Sequence, residues 1–543
     1  MGNGPSLTRR AEAPSQAQIA GAPLPAKDPW DCLRVVRRLE VGPAQLEPRR
    51  VVVPYTVMTD GSANSTALIY KYERDVFDPG DPVAQNLASV MGAQLALNYG
   101  LFAEEVRFVG TFDEIDRKFL ADMAENTARE ITVKKFLEPN AFLQGPAAHL
   151  PLIRRERYCR ARIEFAEFAH PAREHDGNKS ECWGADTVRY AILSSGGKES
   201  LLTHGLLREM GCDVYPIFLN ESGRHWLTAL NGYRHLARSH PGTERVWTNC
   251  DRVFSWFLRR FPFVRQDFAN VRSDEYPIRL WTVAVFLFGA LPLLRFHRIG
   301  NLLIGDEYDT TRKTDHRGIL HYDGLFDQSR YFDKALTRYF RRKGYCVEQF
   351  SLLRCLSELL VQRTLAQRYP DLFEHQVSCH AAHVERDRVR PCGRCEKCRR
   401  VVAMLVAFGL RPTDCGYADG QVSDCLAALA AGGVNQETYG AQHLAHLLWQ
   451  RGLLHAGATG LPRPKPRPEV LKLRFDPDRS LLEEVPTQLR QQLLSILLQQ
   501  CDGAVKRVGR EWVDFDPLEE ASGRSANRSA MVDDLPEQLQ NRQ

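Results

Sequence analysis

With 543 residues, 43% hydrophobic and 26% charged, the chain has the composition of a globular protein and room for about two to four domains. A net charge of +5 is small for this length; it argues against a general nucleic-acid-binding surface and makes nucleic acid an unexpected partner. The longest apolar run, residues 280–294, is too short to span a membrane and contains Pro292, so it is predicted as a buried helix. The polar, Pro- and Ala-rich start carries no secretory signal, and a cytoplasmic location is expected.

Residues 1–48, rich in Ala, Pro and charge with weak periodicity, are predicted as a disordered tail. Strands at 51–55 and 68–72 and helices at 84–98 and 112–126 define a smaller N-terminal α/β domain over residues 49–151. A turn-rich, charged stretch follows at 171–184. Within residues 185–413, short apolar strands at 190–194, 214–219, 245–248 and 301–305 alternate with helical segments, the pattern of parallel βαβ units. A helical extension is expected over 414–457 and a stiff Pro-rich linker over 458–470. A small helical C-terminal unit over 471–519, with a helix at 486–500, precedes a second disordered tail at 520–543. The predicted fold class is α/β, a parallel-sheet central domain flanked by these smaller units.

The densest signal lies where strand 190–194 ends, in Ser194, Ser195, Gly196, Gly197, Lys198, Glu199 and Ser200. The following residues place Leu201, Leu202, Leu206, Leu207 and Met210 on one helical face, with Gly211 as the stop. The first N–H groups of such a helix have no intrahelical partner and carry the positive end of its dipole. Two adjacent glycines let an anion approach the backbone, so the turn is suited to phosphate. The spacing is not G-x-x-x-x-G-K-[ST]. It resembles the S-G-G-x-[DE]-S signature of the PP-loop ATP pyrophosphatases, with Glu199 where most members carry Asp. That resemblance implies ATP as a cofactor, its cleavage to AMP and pyrophosphate, and adenylation of a substrate oxygen.

A second cluster is Cys379 followed by Cys392, Cys395 and Cys398. Four thiolates match a closed tetrahedral zinc site, and Gly393 permits the tight knuckle turn. With no open position for water, the predicted zinc is structural, and its binding contributes to folding.

Ligands of parallel α/β sheets bind at the carboxyl ends of the strands. That rule gathers residues 194–200, Glu221 after the second strand, residues 248–249, and Asp306, Glu307 and Asp309 after the fourth. Lys198, Asp306, Glu307 and Asp309 are the candidate catalytic group: Lys198 for phosphate charge, the carboxylates for magnesium or substrate. Residues 194–200 and Glu221 are the candidate nucleotide contacts, with Glu221 assigned to the ribose. His316 and His321 are further acid–base candidates.

Two families join such a turn to a four-cysteine knuckle. One is 7-cyano-7-deazaguanine synthase, which the chain resembles in residues 194–200 and in the four cysteines. The other is UDP-N-acetylmuramoyl-L-alanyl-L-glutamate epimerase, which carries an extra N-terminal domain. Phe350-Ser-Leu-Leu-Arg-Cys-Leu-Ser-Glu-Leu359 resembles that family's F-S-L-L-R-P-L-S-E-L element. Val377-Ser378-Cys379 and Cys392-Gly-Arg-Cys-Glu-Lys-Cys398 resemble its V-S-C-N and C-G-x-C-x-K-C. Residues 305–311 depart from its G-N-E-R-S-A-N. The epimerase resemblance implies adenylation of the terminal L-glutamate of a nucleotide-sugar peptide and its inversion to D-glutamate in peptidoglycan precursor synthesis. A 7-cyano-7-deazaguanine synthase-like or tRNA-modifying enzyme, an adenylating ligase of secondary metabolism, and a non-catalytic nucleotide-binding scaffold are the alternatives.

Overall fold

A computed structural model describes residues 28–167, 183–223, 225–271, 276–379, 381–432, 436–454 and 464–523. Residues 1–27 of the expected 1–48 tail, residues 524–543 of the expected 520–543 tail, most of the stretch 171–184, and linker residues 458–463 lie outside them, while residues 520–523 end a helix, Pro517–Gly523. The strands are β1 Val36–Val41, β2 Gln45–Glu47, β3 Arg50–Thr59, β4 Ser62–Tyr72, β5 Ala103–Gly110 and β6 Arg162–Glu167. They continue with β7 Asp186–Ser194, β8 Asp213–Asn220, β9 Glu244–Thr248, β10 Ile299–Leu303, the hairpin β11 Thr314–His316 and β12 Ile319–His321, and β13 Glu348–Phe350.

One sheet runs in the order β13-β10-β7-β8-β9-β4-β3-β1-β5-β6, with β2 on β3. The five strands from β13 to β9 are parallel, as the alternating pattern predicts. β1, β5 and β6 form a second parallel block, and the antiparallel hairpin β3–β4 joins the two. The seam is the antiparallel pair β4–β9, with Tyr70 opposite Thr248 and Tyr72 opposite Val246.

The helices from α1 to α8 are α1 Pro82–Ala96, α2 Glu114–Ile131, α3 Lys198–Glu209, α4 His225–Ser239, α5 Cys250–Leu258, α6 Val283–Phe296, α7 Arg330–Arg342 and α8 Glu358–Arg368. α6 is the buried apolar helix expected around Pro292. It lies across the seam, where the Tyr70 and Tyr72 hydroxyls donate to the carbonyls of Val285 and Gly289 at 3.3 and 2.8 Å. A single hydrophobic core accordingly runs from Trp30 through α1 to α6 and α7.

One expectation differs from these findings. Residues 28–48 are not tail: β1 is an interior strand, its Val36, Leu39 and Val41 buried between β3 and β5. Arg37, Arg38 and Glu40 interrupt that short apolar pattern in sequence. The strands of residues 49–151 and 185–413 also share one sheet, joined by backbone hydrogen bonding across β4–β9.

The chain continues through α9 Pro370–Phe373, the hairpin β14 His383–Glu385 and β15 Arg388–Arg390, and α10 Glu396–Ala407, which starts at the knuckle. α11 Asp419–Gly432 and α12 Thr438–Gln450 follow it. In the C-terminal unit α13 Thr487–Leu498 matches the predicted helix and packs with a three-stranded sheet of β16 Leu473–Phe475, β17 Ala504–Val508 and β18 Glu511–Asp514. The unit is bound tightly to the rest. The Arg474 N–H donates to the Cys355 carbonyl at 2.9 Å, Ser357 Oγ donates to the Val470 carbonyl at 2.7 Å, and Arg330 grips Glu484 and the Pro477 carbonyl.

Candidate active site

The glycine turn expected to take phosphate forms where β7 stops at Ser194 and α3 starts at Lys198. Gly196 has φ +68°, and a Cβ there would lie 2.7 Å from the Ala229 Cα of α4; only glycine fits. Gly197 is the N-cap of α3, and no side chain caps the helix. The serines tie the turn internally: Ser194 Oγ donates to Ser200 Oγ at 3.3 Å, and Ser200 Oγ to the Gly197 carbonyl at 3.1 Å. The first-turn N–H groups of α3 are thus left as an anion-binding end.

The acidic loop after β10 lies directly on that first turn. A Cβ at Gly305 would sit 2.7 Å from the Glu199 carbonyl carbon and 2.8 Å from its Cβ, so glycine permits the approach. Lys198 is buried and ion-pairs with Glu199 and, at 2.9 Å, with Glu358 at the start of α8. Burial alone would lower the Lys198 pKa, but Glu199, Glu358 and Glu307 outweigh it and hold the ammonium above the usual lysine range. Glu358 also meets Arg400 of α10 at 3.1 Å. Burial would raise its pKa; the two cations keep it below the ordinary value. Glu307 is raised well above the usual range by burial and then by the neighbouring charge of Glu199.

Asp306 is buried, with its N–H donating to Ser351 Oγ at 3.1 Å and its carboxylate 3.4 Å from Arg354. Burial raises its pKa well above the ordinary value, against the lowering effect of Arg354. Arg354 simultaneously binds Asp333, at 2.5 Å, and the Gln328 carbonyl. Asp309 accepts from Arg474 at 3.2 Å and from the Glu358 N–H at 3.4 Å. Arg474 is 1% exposed and lies 3.8 Å above the Tyr308 ring, while the Tyr308 hydroxyl donates to Asp476 at 3.1 Å. The C-terminal unit therefore contributes a guanidinium to the acidic loop.

Glu221 sits at the end of β8, buried, accepting from the Trp226 N–H at 2.9 Å. Burial raises its pKa, with Asp251 adding to the effect and Arg279 opposing it. Arg279 donates to Asp251 at 2.9 Å and is sandwiched between Tyr276, at 3.7 Å, and Phe254, at 4.2 Å. This forms a second polar group beside the turn, at the ends of β8 and β9.

The candidate nucleotide turn, Lys198 and the three loop carboxylates thus converge, and Glu221 flanks them. His321 is otherwise engaged. Both His321 ring nitrogens are engaged, Nε2 by Thr314 Oγ1 at 2.9 Å and Nδ1 by the Asp323 N–H at 3.1 Å, and its ring faces Glu130 of α2 at 4.0 Å. Sequence reasoning missed Arg354, Glu358, Arg400 and Arg474. The first two lie within the 350–359 element that carried the family resemblance. Arg400 follows Cys398 by two residues, and Arg474 has no local signal.

The four knuckle cysteines place their sulfurs within 4.8 Å of one another, with pairs at 3.5 and 3.9 Å. Tetrahedral zinc with bonds of about 2.3 Å requires sulfur separations of roughly 3.8 Å, so the donor set fits that ion. N–H groups of Ala381 and Cys392 donate to Cys379 Sγ at 3.3 and 3.2 Å, and those of Arg394 and Cys395 to Cys392 Sγ at 3.4 Å. Such bonds orient thiolates around a metal. Gly393 has φ +69° within this knuckle.

No helix among the described residues is long and apolar enough to cross a membrane. No family model matches the chain. Over 232 residues it is 25% identical to 7-cyano-7-deazaguanine synthase of Chlorobium luteolum, a similarity spanning 41% of this chain and 94% of that protein.

Proposed function

We propose that the chain is an ATP-using, AMP-forming enzyme that adenylates a substrate carboxylate. The observation that carries this reading is the convergence of an uncapped, glycine-built α3 N-terminus with Lys198 and the acidic loop 306–309. The N–H groups of α3 donate to the phosphate oxygens. Lys198, held protonated by Glu199 and Glu358, sets the charge of the turn's inner wall. Glu199 and Glu307 lie close enough in a buried site for the Glu199 charge to raise the Glu307 pKa, and a bound cation would relieve that repulsion; the pair suits magnesium, which takes one or two carboxylates together with phosphate oxygens. That ion would neutralise phosphate charge. Glu221 takes the ribose side, and the knuckle stays out of the chemistry, holding α10 so that Arg400 reaches Glu358.

The substrate we favour is the terminal L-glutamate of UDP-N-acetylmuramoyl-L-alanyl-L-glutamate, on the strength of the 350–359 element, whose Arg354 and Glu358 support the acidic loop and Lys198. The glutamate carboxylate attacks the α-phosphorus, the bond to pyrophosphate breaks, and an acyl-adenylate forms. Loss of the carboxylate charge acidifies the adjacent Cα–H. A base removes that proton, a second group returns one on the opposite face, and water releases AMP. A deazapurine substrate is the second reading, favoured by the similarity to 7-cyano-7-deazaguanine synthase.

The test incubates the protein with ATP, magnesium and the muramoyl dipeptide or a deazapurine carboxylate, measuring AMP, pyrophosphate and glutamate chirality. AMP with D-glutamate is expected, and Gly197→Asp, which sets a carboxylate against the phosphates, is expected to be silent. AMP release with only the deazapurine would reject the epimerase. Folded, zinc-loaded protein that forms AMP with neither would reject both substrates.

A further inference from the structure

A cleft of about 550 Å³ opens between α7, the edge strand β13 and the start of α13, within the range of small-molecule sites. Its walls are rich in cations. Lys334 is balanced by Glu484 at 2.9 Å, and Arg341 by Glu348. Arg338, exposed on α7, lines the cleft and has no hydrogen-bond or ion-pair partner among the described residues. Thr487 and Gln488, the first residues of α13, form the opposite wall, and no side chain caps that helix. A helix start of this kind favours an anion.

An independent observation points to a ligand in the same space. Gln349 is 3% exposed and lines the cleft. Its Nε2 donates to Asp333 at 2.6 Å, which fixes the amide orientation, and its buried Oε1 has no hydrogen-bond partner. A buried carbonyl oxygen left unpaired costs about 1–3 kcal/mol, a cost that a ligand N–H or O–H would relieve.

We propose that this cleft is a second binding site, for a small organic anion whose phosphate or carboxylate meets Arg338 and the α13 N-terminus while a neighbouring O–H or N–H donates to Gln349. The site stands apart from the phosphate turn and does not depend on the adenylation reading. Its inner wall contains Ser351 and Arg354, the residues that hold Asp306 from behind.

Calorimetric titration of the full chain with glycerol 3-phosphate and with glycerate tests this, since the two share a hydroxyl donor and differ in the anion. Saturable binding of either is expected, and the tighter one identifies the anion class. Arg338→Gln, a change at an exposed position, should weaken binding about tenfold, the worth of roughly one charge-assisted contact. Gln349→Met should weaken it as well, with an unchanged circular dichroism spectrum. Excess ATP should leave the titration unaltered. No saturable binding of either compound overturns the proposal, as does binding that both variants leave intact or that ATP displaces.

Discussion

Arg474→Met removes the guanidinium that the C-terminal unit places on Asp309, while keeping most of the side-chain volume. Asp309 is largely buried, with 12% of its side chain exposed, so its charge then lacks the Arg474 partner. Breaking a buried pair costs about 3–5 kcal/mol when the remaining charge persists. The carboxyl has an escape, which is to take up a proton. From the ordinary aspartate value of 3.8, protonation costs at most about 4 kcal/mol at pH 7 and about 1.6 kcal/mol at pH 5, at 1.36 kcal/mol per unit. Burial already raises the Asp309 pKa against the pull of Arg474, and the substitution raises it further above the unfolded value. The variant's native state then binds more protons than its unfolded state, so its stability falls as pH rises through that window. Urea unfolding of wild type and variant at pH 5 and pH 7 should show a deficit at least twice as large at pH 7. Adding Asp309→Asn should recover much of it. A deficit that is equal at the two pH values, or that Asp309→Asn leaves untouched, would refute the assignment of Asp309 as the charge that Arg474 answers.

Gly305→Ala should cost about 1–3 kcal/mol from overpacking against the rigid Glu199 backbone and lower pyrophosphate release by more than about tenfold; a thermal melt and release rate both matching wild type would show that the loop does not need this approach. Zinc removal by chelation, or Cys395→Ser, should lower the melting temperature and abolish the stoichiometric zinc read by a colorimetric chelator. An unchanged melt in metal-free protein would deny the knuckle a structural role.

The parallel strands were legible because β7 to β10 are short apolar runs between helices, and the strand–turn–helix step at 194–198 because its glycines are dictated by local geometry. The four cysteines were legible for a similar reason, since C-x-x-C steps encode ligand geometry in spacing. The seam between the sheets was not legible. β4 and β9 pair antiparallel across 178 residues, Tyr70 to Thr248, and no periodicity within either strand names its partner. β1 escaped notice because it alternates Val36, Leu39 and Val41 with charged residues. The site's arginines were hidden differently. Arg354, Arg400 and Arg474 arrive from three separate elements, each an unremarkable cation in sequence, and only packing brings them to one set of carboxylates.

The contact between Asp309 and Arg474 spans 165 residues of chain, which gives it a place in time as well as in space. At about 5–20 residues added per second, roughly ten to thirty seconds of synthesis separate the two. Through that interval Asp309 lacks its guanidinium and Tyr308 the cation that lies on its ring. The Arg474 contact with the acidic loop forms only once β16 has left the ribosome and docked on the Cys355 carbonyl. A chain halted before that strand would display the glycine turn and the knuckle in full and still lack the guanidinium that answers Asp309.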